Sequence, residues 1–228
     1  MTSFNDFGLA EPITRALTEE GYATPTPIQA QAIPLLLQNR DLIGIAQTGT
    51  GKTAAFALPI LNRLAGVRGR PDRKTCRVLV LSPTRELSGQ ILTSFRTYGK
   101  HMRISSALAI GGVSMGSQVR AMMNGVDVLV ATPGRLLDLV QSNAVRLNGV
   151  DTFVLDEADR MLDMGFINDI RKIVSKLPKE RQTLLFSATM PQDIAELAKQ
   201  MLKDPAQVAV TPVATTAERI AQRSEEHT

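Results

Sequence analysis

Little in this sequence can be cross-linked: its single cysteine, Cys76, can neither close an intramolecular disulfide nor supply a Cys-based zinc site by itself. A reducing, cytoplasmic compartment is the expectation. No stretch approaches the roughly 18 consecutive apolar residues of a membrane span. The opening MTSFNDFGLAEP has neither the basic head nor the apolar core of a secretion signal, so neither membrane insertion nor secretion is expected. Charge imbalance is small too. The chain holds 26 Lys and Arg against 22 Asp and Glu, a balance of +4, which permits a polyanionic partner without demanding one. Internal repeats and low-complexity tracts are also missing. What remains is 43% hydrophobic and 21% charged, close to the composition of folded globular chains. The 228 residues suffice for one large domain or two small ones.

From residue 41 onward, short apolar runs recur at 41–46, 77–82, 104–110, 126–131, 150–156, 183–187 and 207–210. Each ends near Gly, Pro, Ser or Thr and is followed by a helical stretch. Continuous hydrophobicity, as in Val78-Leu79-Val80-Leu81, suits strands covered on both faces by crossover helices. The fold class expected is α/β, a three-layer doubly wound parallel sheet. Ligands of such sheets sit beyond the carboxyl ends of the strands. Residues 1–40 read as a helical prefix over one sheet edge, with helices at 11–20 and 27–38 separated by Gly21 and opened by Pro27. Residues 41–211 form the main domain. Residues 66–76, GVRGRPDRKTC, read as a surface loop whose basic residues are either solvated or an auxiliary phosphate contact. Residues 212–228 lose the alternation and read as a linker or tail.

After the first run comes Ala46-Gln47-Thr48-Gly49-Thr50-Gly51-Lys52-Thr53 and then AAFALPILNRL, the strand, glycine loop and helix order of a nucleotide triphosphate loop. Small residues let backbone N–H groups curl around phosphate oxygens, and the helix points its positive end at them. Lys52 is expected to reach the β and γ phosphates and Thr53 to bind Mg2+. Ala46 stands where the pattern has its first glycine, a departure that leaves the mechanism intact. The competing reading is an incidental glycine turn.

Asp156-Glu157-Ala158-Asp159 ends the apolar run Thr152-Phe153-Val154-Leu155, placing carboxylates at a strand's carboxyl end. Phosphoryl transfer needs two of them: Asp156 to hold the magnesium and Glu157 to position and deprotonate the attacking water. Acidic capping of the next helix is the alternative.

Further words in the same order complete a pattern: Gly21-Tyr22-Ala23-Thr24-Pro25-Thr26-Pro27-Ile28-Gln29, AQTGTGKT, Pro83-Thr84-Arg85-Glu86-Leu87, Gly111-Gly112, Thr132-Pro133-Gly134-Arg135, DEAD and Ser187-Ala188-Thr189. With these the chain resembles the DEAD-box RNA helicases over about residues 4–211, and the wording ATPGRLLDL and VLDEADRMLDMGF is most similar to the bacterial RhlE subgroup. The resemblance implies a RecA-like ATP-binding domain using ATP and Mg2+. It implies that Gln29 reads adenine, with Tyr22 stacked on it, Thr24 beside them and Phe4 as the isolated upstream aromatic, and that Gln47, Thr48, Gly49, Thr50 and Gly51 line the phosphates with Lys52 and Thr53. A primary amide can both donate to and accept from the adenine edge, and a tyrosine ring offers it a flat partner. Phe4 reads equally well as a packing residue. RNA-facing residues map onto Pro83, Thr84, Arg85, Gly111, Gly112, Thr132, Pro133, Gly134 and Arg135, whose guanidinium, hydroxyl and backbone N–H groups grip a phosphate backbone without reading bases. Thr84 and Thr132 can also cap helices. Ser187 and Thr189 are implied to bond toward the acidic motif and couple hydrolysis to domain movement. Ser88 stands where the family usually has alanine, with little effect expected.

The resemblance also implies a partner, a second RecA-like domain carrying a His-Arg-x-Gly-Arg motif. The two histidines, His101 before Met102 and His227 before Thr228, allow no such motif here. The expectation is one lobe of two, which binds nucleotide and hydrolyses it poorly, since an arginine finger contributes about a thousandfold or more. A non-catalytic module that clamps RNA and a DNA translocase lobe are the competing functions.

Overall fold

Seven parallel strands make one sheet in the order β3-β4-β2-β5-β6-β1-β7 in the computed structural model, which describes residues 2–211. They are β1 (Leu42–Ile45), β2 (Cys76–Leu81), β3 (Ser106–Ala109), β4 (Val126–Ala131), β5 (Thr152–Leu155), β6 (Gln182–Ser187) and β7 (Ala206–Ala209). Between them run α3 (Lys52–Ala65), α4 (Arg85–Tyr98), α5 (Met115–Met122), α6 (Pro133–Gln141), α7 (Ala158–Asp163), α8 (Ile167–Val174) and α9 (Gln192–Met201), after the prefix helices α1 (Glu11–Glu19) and α2 (Pro27–Leu37). Every run expected to be a strand is one; β4 keeps its expected ends and the ends of the others move by at most two residues.

Period-two alternation divides each strand between two cores. Val78, Val80, Val128, Val130, Val154 and Phe186 face one layer with α3 and α4. Leu79, Leu81, Leu129, Leu155 and Leu185 face the other, with α6, α8 and α9. The prefix shares the first core: Ile13, Leu17, Ile28 and Ile33 are fully buried or nearly so, and α2 packs on α3 and over β1 and the edge strand β7. A buried carboxylate fixes that edge. Asp41 accepts from the Thr183 N–H at 2.8 Å and the Lys203 N–H at 2.7 Å, tying β1 to β6 and to the approach of β7. The expected linker at 212–228 lies outside the described residues.

Candidate nucleotide and nucleic-acid site

All strands run the same way, so their carboxyl ends share one rim. The 46–51 loop stands there between β1 and α3. Gly49 and Gly51 both have φ +84°, and Gly51 caps α3. Lys52 and Thr53 follow as the first two helical residues. Gln47, Thr48 and Gly49 are exposed, while the Thr50 hydroxyl donates to the Gln47 carbonyl at 2.8 Å and braces the loop.

Lys52 is buried, with Nζ 3.4 Å from Asp156 Oδ1 and 3.8 Å from Glu157 Oε1. Both carboxylates are buried as well. Asp156 hangs from the end of β5, its N–H donating to Leu81 at 2.9 Å. Burial pushes its carboxyl up to about 6, against the pull of Lys52 and with a further push from Glu157. One oxygen, Oδ1, accepts from the Glu157 N–H at 3.0 Å. The other, Oδ2, is buried without a hydrogen-bond partner. An orphaned buried carboxylate oxygen is costly, and a hard divalent cation with oxygen ligands is the group that relieves it. The donor set therefore fits Mg2+ at Asp156.

Glu157 sits in the left-handed region at φ 54°, ψ 52°, a conformation that costs a non-glycine residue roughly 1–2 kcal/mol. Its side chain is held from two directions: Thr48 donates to Oε1 at 3.2 Å and Arg160 to Oε2 at 3.3 Å. The strained backbone thus aims a buried carboxylate at the phosphate loop.

Ser187 and Thr189 converge on the last residue of the acidic motif. Thr189 donates from both N–H and Oγ1 to Asp159 Oδ2, at 3.0 and 2.9 Å. Ser187 Oγ accepts from the Asp159 N–H at 3.0 Å. Neither caps α9, whose N-cap is Pro191.

On the prefix side, Gln29 is buried. Its Oε1 accepts from the Thr26 N–H at 2.9 Å and its Nε2 donates to the Gly51 carbonyl at 3.0 Å. Each end keeps one further lone pair or hydrogen. Tyr22 is 47% exposed and stands edge-on to Tyr98 at 6.0 Å. Thr24 is exposed nearby. Phe4 is buried against Phe7, and its N–H reaches the Ala23 carbonyl at 3.4 Å. Phe4 and Tyr22 line one depression.

The candidate RNA residues sit on the same rim. Pro83 is buried, and Thr84 caps α4 by accepting from the Leu87 N–H at 3.2 Å. The exposed Arg85 lays its guanidinium over Gly112, in the space a Cβ would need. Gly112 also has φ +71°, so only glycine suits it. Gly111 adjoins it. Thr132 and Pro133 start α6 and are buried, while Gly134 is half-buried. Arg135 differs from Arg85: its guanidinium donates to the Val113 carbonyl at 3.0 Å and to Gln118 Oε1 at 3.1 Å. Both bonds come from Nη1 and turn that end of the guanidinium toward the loop and helix that follow β3.

Comparison with known proteins decides the family. The model of the DEAD/DEAH box helicase family matches residues 26–197. The chain belongs to this family. It is 45% identical over 222 residues to the ATP-dependent RNA helicase DeaD of Escherichia coli (strain K12), covering 97% of this chain and 34% of that protein. It is 44% identical over 220 residues to the DEAD-box ATP-dependent RNA helicase CshA of Bacillus subtilis, covering 96% and 44%. The chain thus spans less than half the length of these relatives. Among solved structures, a DEAD box protein from Methanococcus jannaschii matches with TM-score 0.86 and 36% identity over 92% of this chain and 56% of that one. A hypothetical ATP-dependent RNA helicase from Sulfolobus tokodaii matches with TM-score 0.80 and 37% identity, covering 89% and 57%. The fold is RecA-like α/β.

Several groups that build this DEAD/DEAH box site escaped the sequence. Thr48 carried only a phosphate-loop assignment, yet it anchors Glu157 across 109 positions. Arg160 and Gln118 carried no assignment. Gln118 donates to the Ile110 carbonyl at 2.9 Å while accepting from Arg135, and so joins α5, α6 and the Gly111-Gly112 turn. Ser88, where little effect was expected, is fully buried and shares a hydrogen bond with Ser82.

Proposed function

We propose that the chain is the ATP-binding and RNA-binding first lobe of an ATP-dependent RNA helicase, one that separates short duplexes by bending one strand as ATP is hydrolysed. The observation that carries the reading is the buried Lys52, Asp156 and Glu157 cluster directly behind the phosphate loop. Lys52 binds the terminal phosphates and compensates the two carboxylates. Glu157, aimed by its left-handed backbone and by Thr48 and Arg160, takes the proton of the attacking water. Asp156 and Thr53 hold Mg2+, which neutralises charge on the phosphate oxygens when bound. Gln29 and Tyr22, with Thr24 and Phe4 around them, select adenine. Asp159, gripped by Ser187 and Thr189, links the acidic motif to β6 and hence to movement of a partner domain.

RNA lies along Pro83 to Arg85, Gly111-Gly112 and Thr132 to Arg135, contacted through its backbone and independently of sequence. Arg85 binds phosphate directly. Arg135 positions the turn that carries Gly112. A second RecA-like domain completes the enzyme, in keeping with the share of each relative that the chain covers. The RhlE subgroup is supported by the wording of residues 131–139 and 154–166 alone, and a cytoplasmic setting by the reduced thiol expected of Cys76.

RNA-stimulated ATP turnover, measured on this chain and again with a second lobe supplied, tests the proposal. The chain alone should stay near background and the completed protein should rise by about a thousandfold or more. Turnover of roughly 10 per second by the chain alone would overturn the single-lobe reading. Failure of the completed protein to hydrolyse ATP would favour a non-catalytic RNA clamp.

A further inference from the structure

The pole opposite the phosphate loop, where the amino ends of β2, β3 and β4 meet, carries a feature that the ATP and RNA rim does not use. Three connections converge there around a recess lined by Arg70, Pro71, Met102, Arg103, Asn124 and Asp127, among others. The loop before β2 supplies the first of them. Its composition suits a solvated loop, yet hydrogen bonds fix it to its neighbours. Lys74 N–H donates to Met122 at 3.1 Å, Arg146 N–H to Lys74 at 2.8 Å, Arg77 to Gly69 at 3.1 Å and Lys74 Nζ to Asn143 at 3.0 Å. Gly125, at φ +72°, leaves room for Pro71 and Asp72 to sit against its Cα.

This held loop presents Arg68, Arg70 and Arg73 to solvent, and Arg103 and Arg146 are exposed on adjacent connections. None of the five has a carboxylate within ion-pairing distance among the described residues, whose salt bridges all involve other cations. Nearby charges behave differently. Glu19 and Glu20 neutralise Lys100, and Glu19 also engages His101. Asp127, the carboxylate lining the recess, is consumed by Arg77 at 3.2 Å and by the N–H and hydroxyl of Ser105 at 2.9 and 2.8 Å. Asp72 is the one exposed acid within the loop.

We propose that this basic pole is a second RNA-binding surface, which takes the phosphate backbone of a strand running on from the catalytic rim. Guanidinium groups without carboxylate partners, carried on a hydrogen-bonded backbone, match phosphate in charge and geometry; Arg146 also donates to the Arg73 carbonyl at 2.9 Å, which links two of them. The recess has no aromatic side chain on which bases could stack, so the contact is with backbone and blind to sequence. An acidic protein segment would share the charge, but Val67 and Met123 are the only large apolar side chains exposed beside this recess among the described residues, and no aromatic anchor of the kind interfaces use stands there. The inference rests on the proposed RNA-binding role of the rim.

Fluorescence anisotropy on the full 228-residue chain tests it, with one RNA of about 10 nucleotides, sized to a single site, and one about three times longer. The longer RNA should bind more tightly, and Arg70→Ala with Arg103→Ala should remove that advantage, flattening its log-log salt slope by about 1.4 for two lost single-strand contacts. The short RNA should bind the double variant as before, and the thermal midpoint should not move. Equal affinity of parent and double variant for the long RNA would overturn the proposal. So would polyglutamate competing as well as RNA, which would mark the pole as a general acidic-segment site. Failure of the rim reads differently: Arg85→Ala would leave the short RNA's affinity unchanged.

Discussion

Gln29 donates from Nε2 to the main-chain carbonyl of Gly51 at 3.0 Å while its Oε1 accepts from the Thr26 N–H at 2.9 Å. One buried amide thus clamps the start of α2 onto the last turn of the phosphate loop. A Cβ on Gly51 would lie 2.5 Å from that Nε2, so the glycine serves both the loop's conformation and the approach of the glutamine. If Gln29 selects adenine as proposed, adenine selection and phosphate binding share a residue, and disturbing one should disturb the other.

Gln29→Ala should therefore have two effects. Leaving the Thr26 N–H and the Gly51 carbonyl unpaired should cost about 1–3 kcal/mol, lowering the thermal midpoint by roughly 2–4 °C per kcal/mol for a chain of this size. The preference for ADP over GDP in calorimetry should shrink as well. A variant with an unchanged midpoint and an unchanged preference would show that the amide does neither job.

Gly112→Ala should push the Arg85 guanidinium aside and force alanine into the left-handed region. The backbone part alone should destabilise by about 1–2 kcal/mol. RNA affinity should fall with it. In an Arg85→Ala background the substitution should keep its stability cost and lose its effect on RNA, as a double-mutant cycle would reveal. Equal RNA losses in both backgrounds would separate Gly112 from Arg85.

Asp156 predicts a pH signature in metal-free protein. Its folded-state pKa of about 6 lies above the ordinary 3.8, so between those values the native state holds more protons than the unfolded chain. Stability from this group is consequently lost as pH rises from about 4 to about 6 and is level above. Asp156→Asn should remove the loss. The variant should be more stable than the parent at pH 7, by ~3 kcal/mol at most, and nearly equal to it at pH 4. Thermal melts with chelator at both pH values would measure this, and a gap independent of pH would contradict the burial account.

Cys76 lies in the fully buried start of β2, and burial pushes its thiol up to about 12. Alkylation should therefore proceed only through opening of the sheet and slow whenever nucleotide stabilises the fold. Stoichiometric labelling within minutes under native conditions would show that β2 is far less protected than its position implies.

The sheet was legible because strands buried on both faces carry runs such as Val78 to Leu81 that read the same in sequence and in space. The phosphate loop was legible because its residues are contiguous. What escaped depends on distant residues meeting. Thr48 and Glu157 lie 109 positions apart, and Gln118 and Arg135 lie 17 apart on different helices. Nothing local marks either pair. The left-handed backbone of Glu157 was hidden too, since a glutamate is not a residue that signals φ > 0. Residues 66–76 read as a surface loop, and 66–75 form no helix or strand and are largely exposed; the composition did not show that this loop is hydrogen-bonded to residues near 122 and 143–146.

The separate roles of Lys52 and Glu157 carry the whole account, and calorimetric titration of Mg2+ with ADP into the parent chain, Lys52→Ala and Glu157→Gln tests them side by side. Lys52→Ala removes the cation facing the phosphates and should weaken binding by about tenfold or more, the scale of a lost charged hydrogen bond. Glu157→Gln keeps the shape of the side chain and one of its two acceptor oxygens while losing the charge and the capacity to accept a proton, so its affinity should stay within about threefold of the parent, well under 1 kcal/mol. Equal losses in the two variants, or none in Lys52→Ala, would contradict the assignment of phosphate binding to the lysine and water activation to the glutamate.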